Sequence, residues 1–193
     1  SVVSWTFTGA PIRINSPIDL ISRLKTELGQ RENAANGKPS AEVGGVLIGH
    51  HETLYTLDID DYVLVPSDER PGSQYHLDPS KLTFLRSVYT IVGYFRTQSE
   101  NTLHLRDDEI SFVQRHFRDS TNVVLLIQTS SRPYRAGFLF WMKEDVFTPI
   151  SFKEFFLDAE LTGSLSPRIQ EEETVLPPPP TTDSRATGAV EFA

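Results

Sequence analysis

The 193-residue chain predicts an α/β domain built on one mixed β-sheet, followed by a tail without a core of its own. Three observations lead there. Segments of helical period alternate with short runs rich in β-branched and aromatic residues, an order that lays helices against a sheet. Hydrophobic residues make up 38% of the chain, enough to build a core at this length. At Glu160 the composition turns acidic and proline-rich.

The elements follow in order. Ile18 to Glu32 carries Ile18, Ile21, Leu24 and Leu28 at helical spacing behind a Ser16-Pro17 start. Asn33 to Pro39 is a loop of Asn, Gly and Pro. Glu42 to Gly49 reads as a buried strand whose Gly44-Gly45 pair implies close backbone approach. Thr53 to Leu57 and Tyr62 to Val65 read as two strands joined by a hairpin. Thr90 to Phe95, Val123 to Gln128 and Ala136 to Trp141 have the apolar character of central strands. Asp108 to Phe117 is a helix with Ile110, Val113 and Phe117 on one face, and Asp107, Asp108 and Glu109 at the positive end of its dipole. These elements define a domain over residues 1–159.

Residues 160–193 hold six acids against two bases, a net of -4 that is half of the chain's -8. Such a segment buries too little apolar surface to offset its ordering entropy. Pro177 to Pro180 favours a stiff polyproline II spacer, read as a linker ahead of a ligand for a proline-recognising domain.

Composition excludes several classes. The absence of Cys removes disulfides, Cys-type zinc sites and cysteine nucleophiles. A pI near 5.1 argues against broad binding to nucleic acid or anionic membranes. No signal-peptide pattern or bilayer-length apolar run is present. The expected location is cytoplasmic by default. A start at Ser1 rather than Met leaves open an excised or processed fragment, and an anchor beyond the C-terminus.

Three segments in order resemble the MPN (JAB/Mov34) family of JAMM-type metalloproteases. Ala41-Glu42-Val43-Gly44-Gly45-Val46-Leu47-Ile48-Gly49 is similar to its Glu-bearing strand. Ile91-Val92-Gly93-Tyr94-Phe95 is similar to the strand that delivers a His-x-His-Pro segment, most closely to bacterial members reading Val-Gly-Tyr-Tyr-Arg-Ser-His. Asp107 to Phe117 is similar to the helix that follows, opened in the family by Ser-x-x-Asp. The likeness spans Pro11 to Phe156. It implies a curved mixed sheet flanked by helices. It also implies a zinc ion held by two imidazoles and a carboxylate, with water in the fourth position, a Glu base and a Ser at the oxyanion.

This sequence keeps the framework and departs from the chemistry. Only Glu42 matches, at the base position. Arg96 and Gln98 stand at the two His positions, Ser99 at the Pro, Arg106 at the Ser and Glu109 at the Asp. Arg offers only donors and cannot ligate a cation, and Gln is a poor zinc ligand. The expectation is a vestigial site with no zinc and no cofactor, in which Glu42 pairs with a nearby Arg.

Other candidates read as structural. His50 and His51 are adjacent, point to opposite faces of an extended chain, and read as surface-loop residues. His104 is the one imidazole placed to rescue a metal with Glu109, but a third ligand is lacking. His76 and His116 read as loop and helix surface. Asp107, Asp108 and Glu109 lack the spacing of a calcium loop and read as helix capping. Phe138, Phe140 and Trp141 read as core and strand packing, with Trp141 near a groove.

The reading is a catalytically inactive pseudoenzyme of MPN-like fold, acting as a protein-interaction or scaffold module, alone or as a homo- or heterodimer, with protein partners and neither nucleic acid nor membrane bound by this segment. The alternative is a zinc-dependent peptidase or isopeptidase with an altered metal site. A third reading keeps a groove that takes a peptide by adding it as a strand.

Overall fold

A computed structural model describes residues 1–7, 10–118, 122–140 and 154–158. The strands are β1 (Val2–Phe7), β2 (Ala10–Pro17), β3 (Gly44–Thr53), β4 (Thr56–Leu64), β5 (Ile91–Gln98), β6 (Val123–Gln128), β7 (Arg135–Phe140) and β8 (Glu154–Phe156). The helices are α1 (Ile18–Ala34), α2 (Pro79–Arg86) and α3 (Asp107–His116). The strands form one curled mixed sheet in the order β1-β2-β4-β3-β5-β6-β7-β8, so the expected α/β class with a mixed sheet holds. The pairs β2·β4 and β5·β6 are parallel, and the other neighbours are antiparallel.

Both faces of the sheet are covered, which explains why β5 and β6 are apolar without clean alternation. On one face α1 presents Leu20, Ile21, Leu24 and Leu28 to Leu47, Phe95, Leu125 and Ile127. Pro17 sits at the N-cap of α1 with φ -62°, the angle its ring imposes, so the strand passes directly into the helix. On the other face Leu82 of α2 and Val113 of α3 pack with Phe117 against Val46, Tyr94 and Leu126. Helix α3 is the crossover between parallel β5 and β6, and this fixes its N-terminus at the end of β5.

The sequence boundaries need four corrections. The Glu-bearing strand begins at Gly44 rather than Glu42 and continues through His50 and His51 to Thr53. Those histidines therefore stand on a strand, not a loop. Thr53 to Leu57 is not a strand of its own: β3 turns at Leu54 and Tyr55 straight into β4, a single strand from Thr56 to Leu64. Strand β5 runs on to Gln98, carrying Arg96 and Gln98 with it. Strands β1, β2 and β8 and helix α2 were not anticipated: β8 has three residues and α2 buries only Leu82, whereas Val3 and Trp5 in β1 and Ile12 and Ile14 in β2 alternate as a strand requires and were an available signal. Trp141 and the expected tail from Glu160 lie outside the described residues.

The Gly44-Gly45 pair does what its sequence implied. A Cβ on Gly45 would overlap the Val63 carbonyl, and one on Gly44 would overlap the Phe95 carbonyl and the Tyr75 ring. Side chains at either position would push β3 away from β4 or β5.

Candidate functional site

Strand periodicity places Tyr94, Arg96 and Gln98 on one face of β5, toward α3, while Phe95 and Thr97 face α1. Gly44 pairs with Arg96 across the sheet, and Thr97 N–H donates to the Val43 carbonyl at 2.8 Å. Glu42 is thereby held beside the end of β5. Helix α3 starts at Arg106, its N-cap, and brings Glu109 over the same spot as its third residue. All five expected positions are thus joined in one chain of direct contacts, Glu42 through Arg106.

The centre is a charge pair. Arg96 is fully buried, and its Nε and Nη2 donate to Glu109 Oε2 and Oε1 at 2.5 and 2.7 Å. Glu109 also accepts the Tyr94 hydroxyl at 2.5 Å and the Arg106 backbone N–H at 3.2 Å. The last contact is half of a capping box. The other half is not made, because Arg106 has no acceptor to offer the helix. Burial pulls the Arg96 guanidinium down, but its hydrogen bonds and charge interaction with Glu109 outweigh that and the net shift is upward. Burial, with the Glu109 charge behind it, holds the Tyr94 phenol well above its ordinary value.

The remaining donors pin the loop between β5 and α3. Arg96 Nη2 donates to the His104 carbonyl at 2.6 Å, and Nη1 to Gln98 Oε1 at 3.1 Å. Gln98 Nε2 donates to the carbonyls of Glu100 and Thr102 at 3.0 and 2.7 Å. At the rim, Arg106 Nη2 bonds Glu42 Oε2, and Glu42 Oε1 accepts the Tyr75 N–H at 2.9 Å. Arg106 also lies 3.5 Å from Glu100, while its Nε is buried without a partner. The arginine expected beside Glu42 is therefore Arg106.

This set does not fit a zinc ion. Arg96 carries only donors, Gln98 has both ends of its amide engaged, and the carboxylate of Glu109 already accepts four hydrogen bonds. Its chemistry is that of a pinned loop.

His104 does not join Glu109: its Nδ1 contacts the Thr102 carbonyl at 2.8 Å and its Nε2 lies 4.0 Å from Glu100. His76 is an exposed loop residue, and the ring of His116 lies 4.8 Å from that of Phe112. Asp107 and Asp108 occupy the exposed first turn of α3. Phe138 and Phe140 are core residues. Sequence reasoning missed Tyr94 as a partner of Glu109. Its position two residues before Arg96 on a strand was the available signal.

Next to Glu42 lies a groove of about 300 Å³, lined in part by Leu28, Glu42, Val43, Thr97, Gln98 and Thr129. It opens between the C-terminal part of α1 and the ends of β3, β5 and β6.

No family model and no curated protein matches the chain. Among solved structures, the chain is similar to the solution structure of protein DSY2949 from Desulfitobacterium hafniense. The two are 12% identical over 73% of this chain and 88% of that one, with a TM-score of 0.45.

Proposed function

We propose that this chain is a catalytically inactive MPN-like domain, metal-free at its β5–α3 site, that serves as a protein-interaction or scaffold module. The observation that carries the reading is the Arg96–Glu109 pair, which stands where the resemblance would put a histidine ligand and a carboxylate ligand. A guanidinium there supplies fixed positive charge in place of a cation and cannot activate water. Glu42, the one residue kept from the catalytic set, is bonded to Arg106 and the Tyr75 N–H, so each of its oxygens holds a structural partner.

The groove beside Glu42 supports a surface for an extended peptide segment, held without being cleaved. Its walls combine apolar Leu28 and Val43 with polar Thr97, Gln98 and Thr129, which suits a segment of mixed character.

The test is a peptidase and isopeptidase assay of the chelator-treated chain, with and without added Zn²⁺, alongside Glu42→Gln. No turnover above background is expected in any sample. Zinc-dependent turnover that disappears in Glu42→Gln would establish the hydrolase alternative instead. A photo-crosslinker at Ser99, on the groove wall, is expected to capture a protein partner in the native host.

A further inference from the structure

At the far end of β3 the sheet builds a second cluster, independent of the reading above. Gly44 meets Arg96 at one end of the strand, and His50 lies six residues on, roughly 20 Å away at 3.3 Å per residue. Four strands contribute one residue each to a single row: Ser4 pairs with Asn15, Asn15 with Asp58, and Asp58 with His50. Glu52 and Asp60 stand at the two register shifts of the β3·β4 pair, and both side chains reach His50.

The side chains connect in that order. Ser4 Oγ donates to Asn15 Oδ1 at 2.6 Å, and Asn15 Nδ2 donates to Asp58 Oδ1 at 2.8 Å. The second oxygen of Asp58 is thereby aimed at His50 Nε2, 3.3 Å away, and Glu52 Oε1 lies 3.0 Å from the same nitrogen. The other ring nitrogen, Nδ1, sits 2.8 Å from Asp60 Oδ2.

We infer that His50 Nε2, Glu52 and Asp58 form a binding site for a divalent first-row transition ion such as Zn²⁺, with Asp60 orienting the imidazole and Asn15 orienting Asp58. The three ligand atoms lie within 4.8 Å of one another. A tetrahedral site with bonds of about 2.1 Å needs ligand atoms roughly 3.4 Å apart, so only small side-chain rotations separate this arrangement from coordination. A carboxylate on the non-ligating nitrogen is the outer partner that ligating histidines ordinarily have. On binding, the ion takes the place of the Nε2 proton, which is released, while Nδ1–H stays on Asp60. Water fills the fourth position, because only three protein ligands converge. The half-exposed ring suits a reversible site rather than a closed structural one.

The experiment is calorimetric titration of the full chelator-treated chain with Zn²⁺, in parallel with His50→Gln, Asp60→Asn, His51→Gln and Glu109→Gln, plus Co²⁺ titration followed on the histidine ring resonances. The parent is expected to bind about one ion, and His50→Gln to abolish binding. Asp60→Asn should weaken it by about 10-fold or more. His51→Gln, whose ring is on the opposite face, should leave it unchanged, and Co²⁺ should broaden His50 ahead of the other four histidines. No zinc heat, or binding that survives His50→Gln, overturns the site. Binding that survives His50→Gln but is lost in Glu109→Gln overturns the metal-free reading of the β5–α3 site as well. The substitutions at 50 and 60 alter half-exposed side chains, so loss of fold does not confuse the readout.

Discussion

Arg96 and Glu109 meet in a two-pronged pair of 2.5 and 2.7 Å, at side-chain exposures of 0% and 7%. One stands on the central strand β5 and the other on the first turn of α3, so the pair is a direct bond between sheet and crossover helix. It is also the only link that satisfies two buried charges at once at this end of the sheet, among the described residues.

Glu109→Gln or Arg96→Met, made singly, is expected to destabilise the domain by roughly 3–5 kcal/mol, because each leaves a buried charge unpaired. Replacing both by apolar residues of similar volume should cost much less than the sum. Urea unfolding of the two single variants and the double variant measures this. Additive losses would mean that the residues do not act as a pair.

Glu42→Ala removes an acceptor from Arg106 and from the Tyr75 N–H, at side-chain exposures near 10%. The expected loss is about 1.5–3 kcal/mol, the range for hydrogen bonds to a charged group. Arg106→Ala should cost less, since its contact with Glu42 is one-pronged and the Tyr75 bond survives. Thermal unfolding of the two variants checks the order, and a more damaging Arg106→Ala would contradict it.

The combined variant Arg96→His, Gln98→His, Arg106→Ser and Glu109→Asp tests the family resemblance. Arg96 already touches both Gln98 and Glu109, so two imidazoles and a carboxylate placed there are expected to converge on one point. The metal-free variant should be less stable than the parent, having lost the buried pair. Zinc in 100-fold excess over Kd should restore about 2.7 kcal/mol. A folded variant with no zinc-dependent thermal shift beyond that of the parent would count against the resemblance.

Alkaline pH should unfold the domain through its tyrosines. Burial, together with the hydrogen bond to Glu32, pushes Tyr134 up to about 12, and burial also raises Tyr62, Tyr75 and Tyr94. The folded state therefore holds these protons more tightly than the unfolded chain, whose phenols titrate near 10. Stability is fully present below pH 10 and is lost as pH rises through the folded values, for Tyr134 between about 10 and 12. Urea midpoints across that window should fall, and fall less steeply in Tyr134→Phe. Equal slopes would remove Tyr134 from the account.

Periodicity was enough for the long helix and the apolar strands. The α1 stripe of Ile21, Leu24 and Leu28 and the span Val123 to Gln128 read directly, because burial there imposes the pattern. The Thr53 to Leu57 reading failed for a physical reason. A two-residue turn at Leu54-Tyr55, without Gly or Asn, carries none of the usual turn chemistry. Short α2 escaped because only Leu82 of its eight residues is buried, although Asp78 caps it and Pro79 opens it.

What the sequence determined by itself was the mixed α/β class, the close backbone approach at Gly44-Gly45 and the ligand inventory at positions 42, 96, 98, 106 and 109. Residue type alone decides that Arg cannot hold a metal. Which arginine meets which carboxylate was a tertiary matter, set by the Gly44–Arg96 register and by α3 beginning at Arg106. The same holds for the cluster around His50. Its strands come as two consecutive pairs, β1-β2 and β3-β4, that are far apart in sequence, and only their register sets Ser4, Asn15, Asp58 and His50 in one row, since a shift of one residue in any strand would turn its side chain to the other face.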